Sequence, residues 1–172
     1  MAIDLAKRHN KQLNEFNVIN GNLRVDPEHY SDLFAILVHV FRNIVDHGIE
    51  ERSRRPELGK EEAGNILLEF EHLDNFLRII ISDDGQGILP EKVRHKMKEM
   101  GQIITTNDDH QIIQHIFDAG LSTKETVNEI SGRGVGMGAV KEVVERLYGK
   151  IEVFSRTGYG TRLEIEVPWI AQ

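Results

Sequence analysis

Residues 131–140 read S-G-R-G-V-G-M-G-A-V, with glycines at 132, 134, 136 and 138 alternating with side chains and leading straight into an amphipathic helical pattern. Glycine permits positive φ and lets backbone approach a ligand closely. The helix start that follows offers unpaired N–H donors and the positive end of a macrodipole. A loop of this kind suits an anion, above all a phosphate; taken alone it also reads as a flexible surface loop. Gly134-x-Gly136-x-x-Ala139 fits the relaxed dinucleotide fingerprint, which requires a strand immediately before it, and residues 125–130 are too polar for one. A Walker A loop is absent, because neither Gly59-Lys60 nor Gly149-Lys150 has a glycine at the required upstream position.

Such a loop needs a scaffold, and the chain has the means to build one. Its 172 residues, 40% hydrophobic and 28% charged, suit one globular domain with a real core. A net charge of −7 argues against non-specific nucleic-acid binding and against an anionic membrane surface, and leaves room for a local basic site that takes a nucleotide. With no cysteine there are neither disulfides nor thiolate metal sites, which is compatible with a reducing cytosol. The apolar run 33–41 is broken by His39 and followed by Arg42, so it does not reach spanning length, and no signal peptide opens the chain. A cytoplasmic location without membrane insertion is expected. The opening Met-Ala-Ile-Asp is compatible with a fragment of something larger.

Taken in order, residues 16–19 predict a strand, with Asn20-Gly21 as turn residues before Leu23 and Val25. Asp26-Pro27-Glu28 predicts a capped helix start. Tyr30, Leu33, Phe34, Leu37, Phe41, Ile44 and Val45 recur at helical spacing as its buried stripe. At about 100° per residue, His39, Asn43, Asp46 and Glu50 fall together on the opposite face. The Asn43 amide oxygen suits a hard cation such as Mg²⁺, and His39 suits positioning or deprotonating a reacting group; an ordinary solvated helix face is the alternative. Gly48 is expected as the left-handed residue that ends the helix.

After a charged connection at 51–64, strands are predicted at 66–70 and 76–81, turning at Asp74-Asn75, the second apolar enough to be central. It runs into Asp83-Asp84-Gly85-Gln86-Gly87, where a carboxylate can accept a hydrogen bond from an exocyclic amine such as that of adenine. A tight acidic turn is the plainer reading, and the spaced oxygen ligands of an EF-hand are lacking. Helices are predicted at 91–100 and 112–117, linked by the polar stretch 102–110. His110 and His115 read as surface or packing residues. The polar, glycine-bounded segment after Phe117 reads as a mobile lid. Met137, Val140, Val144 and Leu147 face inward on the helix that follows the glycines and stops at Gly149. Two alternating strands close the chain, joined by the glycine-rich connection 156–161.

These motifs together resemble those of the GHKL ATPase family, the Bergerat fold. Residues 39–50 (H-V-F-R-N-I-V-D-H-G-I-E) resemble its N box and residues 83–87 its G1 box. Residues 117–123 resemble the F box, 132–138 the G2 box, and Gly158-Tyr-Gly160-Thr161 the last glycine-threonine element. The R-N-x-x-D-H-G-I-E form, with histidine four residues before asparagine, is similar to CheA-type chemotaxis histidine kinases, as is S-G-R-G-V-G-M. The resemblance runs from about residue 13 to residue 168, as one histidine-kinase-type ATPase domain with a lid at about 89–135. It implies an α/β (α+β) two-layer sandwich, with a mixed, mostly antiparallel sheet covered by helices on one face, binding ATP and Mg²⁺.

By the family's pattern Asp83 contacts adenine, Asn43 holds Mg²⁺ with His39 beside it, and His39 lies near the γ-phosphate. Glycines 132, 134 and 136 cradle phosphates, and Lys124 and Arg133 add positive charge. The same pattern places Asp46, His47, Gly85, Gly87, Ser122, Thr123, Val135, Met137 and Thr161 around the nucleotide. Three positions depart from it: Ala119 stands for a proline, Leu121 for an aromatic and Gly138 for an aspartate. They bear on lid closure and rate more than on nucleotide binding. The implied function is transfer of the ATP γ-phosphoryl group to a histidine on a separate phosphotransfer domain, in cis or in trans, with a response regulator downstream. Dimerisation is expected through a segment outside this chain. A catalytically weak nucleotide-binding or scaffold module and an anti-sigma-factor-type serine kinase are the competing readings.

Overall fold

The computed structural model describes residues 5–6, 8–118, 121 and 136–171. The apolar run expected to be central is β3 (Phe76–Asp83), the third of five strands in the sheet order β1-β2-β3-β5-β4. Its neighbours are β2 (Ile66–Leu73) and β5 (Gly160–Pro168), both antiparallel to it, and β4 (Lys150–Arg156) pairs antiparallel with β5 at one edge. β1 (Asn17–Ile19) closes the other edge, parallel to β2, with Asn17 opposite Leu67. The sheet is therefore mixed and mostly antiparallel, as expected.

Alternation along the strands gives the sheet two unlike faces. Leu77, Ile79 and Ile81 of β3 and Leu163, Ile165 and Val167 of β5 point into the core. There they meet Leu33, Leu37 and Val40 of α1 (Ser31–Asn43), and Val140, Val143 and Val144 of a later helix at 137–146. The other face carries charge: Arg78 lies between Glu166, at 2.6 Å, and Glu71, at 3.3 Å, on the two flanking strands. Between β3 and β4 the chain forms α2 (Pro90–Glu99), α3 (Asp109–Gln114) and α4 (Met137–Arg146). α2 and α3 share a small core of their own, Val93, Met97 and Ile112, completed by Leu121. Leu121, at the family's aromatic position, thus anchors apolar packing within the stretch expected to form the lid.

Asn20 turns the chain as expected, with φ 54°, and Leu23 and Val25 pack against the main core while β1 pairs with β2. Several expectations need correction. Asp26 accepts the N–H groups of Glu28 and His29 at 2.9 and 3.1 Å, capping a turn that precedes the regular helix, which begins at Ser31. Phe34 is 37% exposed and Val40 takes the buried place on the stripe. The helix expected at 112–117 starts at Asp109, capped by the Asp108 side chain, and tightens into a 3₁₀ turn over His115–Phe117. Gly48 has no left-handed conformation. α1 instead widens into a π turn over Ile44–Gly48, closed by Ile49 N–H to the Ile44 carbonyl at 2.8 Å.

Candidate functional site

The π turn decides which polar residues of the first helix stay together. His39 and Asn43, one α-turn apart, lie half-buried on the same side, and Asp46 follows half-buried in the wider turn. Glu50 leaves this face. The widened turn and the extended Ile49 take it out of the 100° progression, and it is 7% exposed, bound to Arg55 and Lys60. Burial first, and the Arg42 charge second, hold His39 below its ordinary pKa, so its imidazole is neutral at neutral pH. The carbonyls that the helix end leaves without intrahelical partners are met from the N-terminal segment: Lys11 Nζ donates to the Val45 and Asp46 carbonyls at 2.6 and 2.9 Å. His9 Nε2 stands 3.7 Å from Asp46 Oδ1.

Asp83 and Asp84 look equivalent in the sequence, and strand alternation separates them. Asp83 continues the side of Leu77, Ile79 and Ile81, the helix-covered face, and its carboxylate packs beside Gly48 at the end of the N box. One oxygen accepts the Gly85 N–H at 2.8 Å. Burial pushes the Asp83 carboxyl up to about 6. The Gly85 N–H opposes this, the Asp84 charge adds to it, the Thr161 N–H opposes it and the Glu50 charge adds a little. Asp84 turns the other way, toward Arg55 at 3.0 Å and the Asn65 side-chain amide at 2.8 Å.

Two of the glycines expected to admit a ligand have a structural reason to be glycine. A Cβ on Gly85 would collide with the Gly48 carbonyl, and one on Gly160, at φ +119°, with the Asp83 carbonyl. The three segments therefore interlock. Gln86 N–H donates to the Gly48 carbonyl at 2.8 Å, and Gln86 Nε2 donates to the His47 carbonyl at 2.5 Å. The Gly158 N–H donates in turn to the Gln86 carbonyl at 2.7 Å. Thr161 sits opposite Asp83 in register, its hydroxyl 3.2 Å from that of Ser155. A recess of about 360 Å³ at this end of the sheet is lined by Ser82, Phe154, Arg156, Tyr159 and Arg162 as well as Asp83 and Thr161; Ser82, Phe154 and Arg162 are cross-strand neighbours on the charged face, so it opens there and not under the helices.

Gly136 and Met137 form the start of α4: Gly136 is its N-cap, and among the described residues nothing lies within 4 Å of a Cβ placed there. Met137 packs partly into the main core. Ser122, Thr123, Lys124, Arg133, Gly134 and Val135, together with Gly132 and Ala119, lie outside the described residues.

Among the described residues no three His, Cys, Asp or Glu side chains gather into a cage. The Asn43 oxygen beside His39 offers few ligands of the hard type that Mg²⁺ accepts when phosphates and water complete its shell. Sequence reasoning missed Arg55, Lys60, Asn65, Gln86 and Lys11. Nothing periodic marks them. The 51–64 connection reads as solvated charge, and Arg55 and Lys60, two of its four cations, would have been found only by pairing them with Glu50, 5 and 10 residues back, and with Asp84, 29 and 24 residues on.

Comparison with known proteins speaks to the family and the fold. A family profile described as "Histidine kinase-, DNA gyrase B-, and HSP90-like ATPase" matches residues 34–170. The chain is 37% identical over 98% of its length to chemotaxis protein CheA of Bacillus subtilis, covering 25% of that protein. It is 35% identical over 98% of its length to sensor histidine kinase CheAY of Helicobacter pylori, covering 21% of it. The chain thus spans about a quarter of the length of the curated relatives it matches. Among solved structures, the histidine kinase domain of the Erythrobacter litoralis blue-light activated histidine kinase superposes with a TM-score of 0.56 over 98% of this chain and 59% of that one, at 16% identity. The catalytic domain of histidine kinase ThkA gives 0.53 over 97% and 84%, also at 16% identity, so these two likenesses speak to the fold. With the profile covering both the helix that bears His39 and Asn43 and the strand that ends at Asp83, the chain belongs to the histidine kinase-, DNA gyrase B- and HSP90-like ATPase family.

Proposed function

We propose that this chain is the ATP-binding catalytic part of a CheA-like histidine kinase, which binds Mg-ATP and passes the γ-phosphoryl group to a histidine on a separate phosphotransfer domain. The observation that carries the reading is the junction of the N box with the end of β3. There a half-buried carboxylate, Asp83, lies against the turn that follows His39 and Asn43, with backbone contacts locking the two together. In this reading Asp83 accepts the adenine 6-amino group, and Asn43 contributes its amide oxygen to Mg²⁺ with His39 beside it. Asp46, His47, Gly85, Gly87 and Thr161 shape the wall around the nucleotide, and Gly136 and Met137 present the start of α4 to the phosphates. Ser122, Thr123, Lys124, Arg133, Gly134 and Val135 complete the phosphate side.

When bound, Mg²⁺ neutralises phosphate charge and orients the terminal group. In the transfer, a ring nitrogen of the acceptor histidine uses its lone pair to bond the γ-phosphorus. The bond to the β–γ bridging oxygen breaks with its electron pair, and ADP leaves. The acceptor imidazole must then lose the proton of its other nitrogen, and a neutral His39 is able to take a proton at the pH where ATP is ionised. Incubation with radiolabelled Mg-ATP and an isolated histidine phosphotransfer domain tests the whole reading: acid-labile, base-stable label on that domain is expected, and label on serine would refute it. In this reading the phosphoacceptor lies outside this chain, which covers 25% of the length of the Bacillus subtilis relative.

A further inference from the structure

The fully buried guanidinium of Arg55 sits directly behind the G1 turn, with its donors in use. Nε donates to the Glu61 carbonyl at 2.7 Å, Nη1 to Glu50 Oε2 at 2.9 Å and Nη2 to Asp84 Oδ2 at 3.0 Å. Lys60 completes the grip. Its three N–H bonds go to Glu50 Oε1 at 2.6 Å, the Asp84 carbonyl at 2.8 Å and the Gly85 carbonyl at 2.7 Å. Asn65 holds Asp84 from the third side, through its N–H at 3.0 Å and its amide at 2.8 Å. Every polar group of the Asp84-Gly85 segment that faces away from Asp83 is therefore tied down.

This cluster costs desolvation that well-packed apolar side chains would avoid, so stability alone is a poor account of it. What it fixes is direction. Asp83 takes its orientation from the Gly85 N–H, and that N–H points where the Asp84 and Gly85 carbonyls allow. The two cations also hold Glu50 and Asp84 in place; without them both carboxylates would be free to reorient around the half-buried Asp83 charge. We propose that Arg55 and Lys60 are positioning residues for base recognition, setting the Asp84-Gly85 turn so that the Asp83 carboxylate meets the 6-amino group of adenine. The proposal rests on the reading of Asp83 as the adenine residue.

The test compares a non-hydrolysable Mg-ATP analogue with its inosine counterpart, which carries a 6-oxo group instead of the amine. Both are titrated by calorimetry into the parent, Asp83→Asn, Lys60→Met and Arg55→Lys, with circular dichroism and thermal midpoints recorded for each. Arg55→Lys keeps the charge and loses the fork that reaches Glu50 and Asp84 together. The parent is expected to prefer adenine by about tenfold or more, because a site built around a polar group rejects the ligand that leaves it unpaired. Lys60→Met and Arg55→Lys are each expected to cut that preference by about threefold or more, through lost affinity for the adenine nucleotide while the inosine nucleotide binds nearly as before. A merely structural role would lower the thermal midpoint and leave the ratio alone. An unchanged preference in Asp83→Asn would sink the adenine reading and this proposal with it. A collapsed preference in Asp83→Asn beside a parental ratio in folded Lys60→Met and Arg55→Lys would overturn the positioning role alone. Should Arg55→Lys fail to fold, Lys60→Met, whose side chain lies nearer the surface, decides by itself.

Discussion

The Asp83 carboxylate is held where burial favours its protonated form, and an amine donor requires the anion. Its pKa is raised from 3.8 to about 6, so it contributes stability that is fully present below the unfolded value and lost as pH rises through about 6. At neutral pH the ligand-free protein carries this strain, with Glu50 and Asp84 adding negative charge and Arg55 and Lys60 opposing it. Asp83→Asn keeps the oxygen that accepts the Gly85 N–H and removes the charge. It should raise the stability of the ligand-free protein above pH 6 by on the order of 1–3 kcal/mol, and by little at pH 4. Thermal midpoints at the two pH values check this, and equal shifts at both would refute the linkage. The same substitution should weaken ATP binding by on the order of 1–3 kcal/mol, because a donor then faces a donor. On the helix side, Asn43→Ala should abolish the Mg²⁺ dependence of nucleotide affinity. His39→Ala should leave affinity near that of the parent and slow phosphoryl transfer by roughly 10²-fold. Single-turnover transfer at the parental rate would make His39 a bystander.

At the scale of elements, the N box works as a helix end, and its π turn takes Glu50 off the face of His39 and Asn43 and into the interior. Lys11 meets two of the carbonyls this end leaves over, and burial holds its pKa below the ordinary lysine value. Lys11→Met should therefore cost about 1–2 kcal/mol in chemical denaturation, the worth of a charge-assisted bond to a helix end. A variant with the parent's midpoint would show that water serves those carbonyls equally well. The elements themselves were legible wherever burial follows a period. The β3 run, the α4 stripe and most of the α1 stripe came from alternation or 3.6-residue spacing. What escaped depends on contacts between distant segments. The parallel partner of β1 is about fifty residues away. The π turn looks like any helix end in sequence, and Gly85 and Gly160 are fixed by the approach of other backbone, Gly160 by its own φ as well. The buried Arg55 lies in a stretch whose composition argues for solvent. Within the site, the shared helix face of His39 and Asn43 follows from spacing, whereas Asp83 is told from Asp84 in the sequence only by the family resemblance. The hydrogen bonds between the G1 turn and the N box leave no mark in the sequence.

The molecule as a whole offers none of its histidines in the manner phosphoryl transfer needs, and supplied with Mg-ATP alone it should not accumulate phosphohistidine. Eight histidines occur in the chain. His39 and His47 belong to the N box. His72 stacks on Trp169, His110 bonds Glu152 beside Phe154, and His115 pairs with Asp118 at 2.7 Å. His29 sits edge-on to Tyr30, His9 approaches Asp46 and His95 pairs with Glu99 along α2. Among the described residues none of these stands on a helical bundle of the kind that presents an acceptor imidazole to a second protein. In-line attack requires imidazole and γ-phosphate to be held together. A tethered or dimeric partner supplies that through effective concentration, whereas separate chains must find it by diffusion. The expected outcome is slow ATP hydrolysis by the chain alone and label on a phosphotransfer domain added in trans, the rate rising with that domain's concentration. Stable label on this chain, mapped by mass spectrometry to any of its own histidines, would defeat the division of labour that the geometry supports.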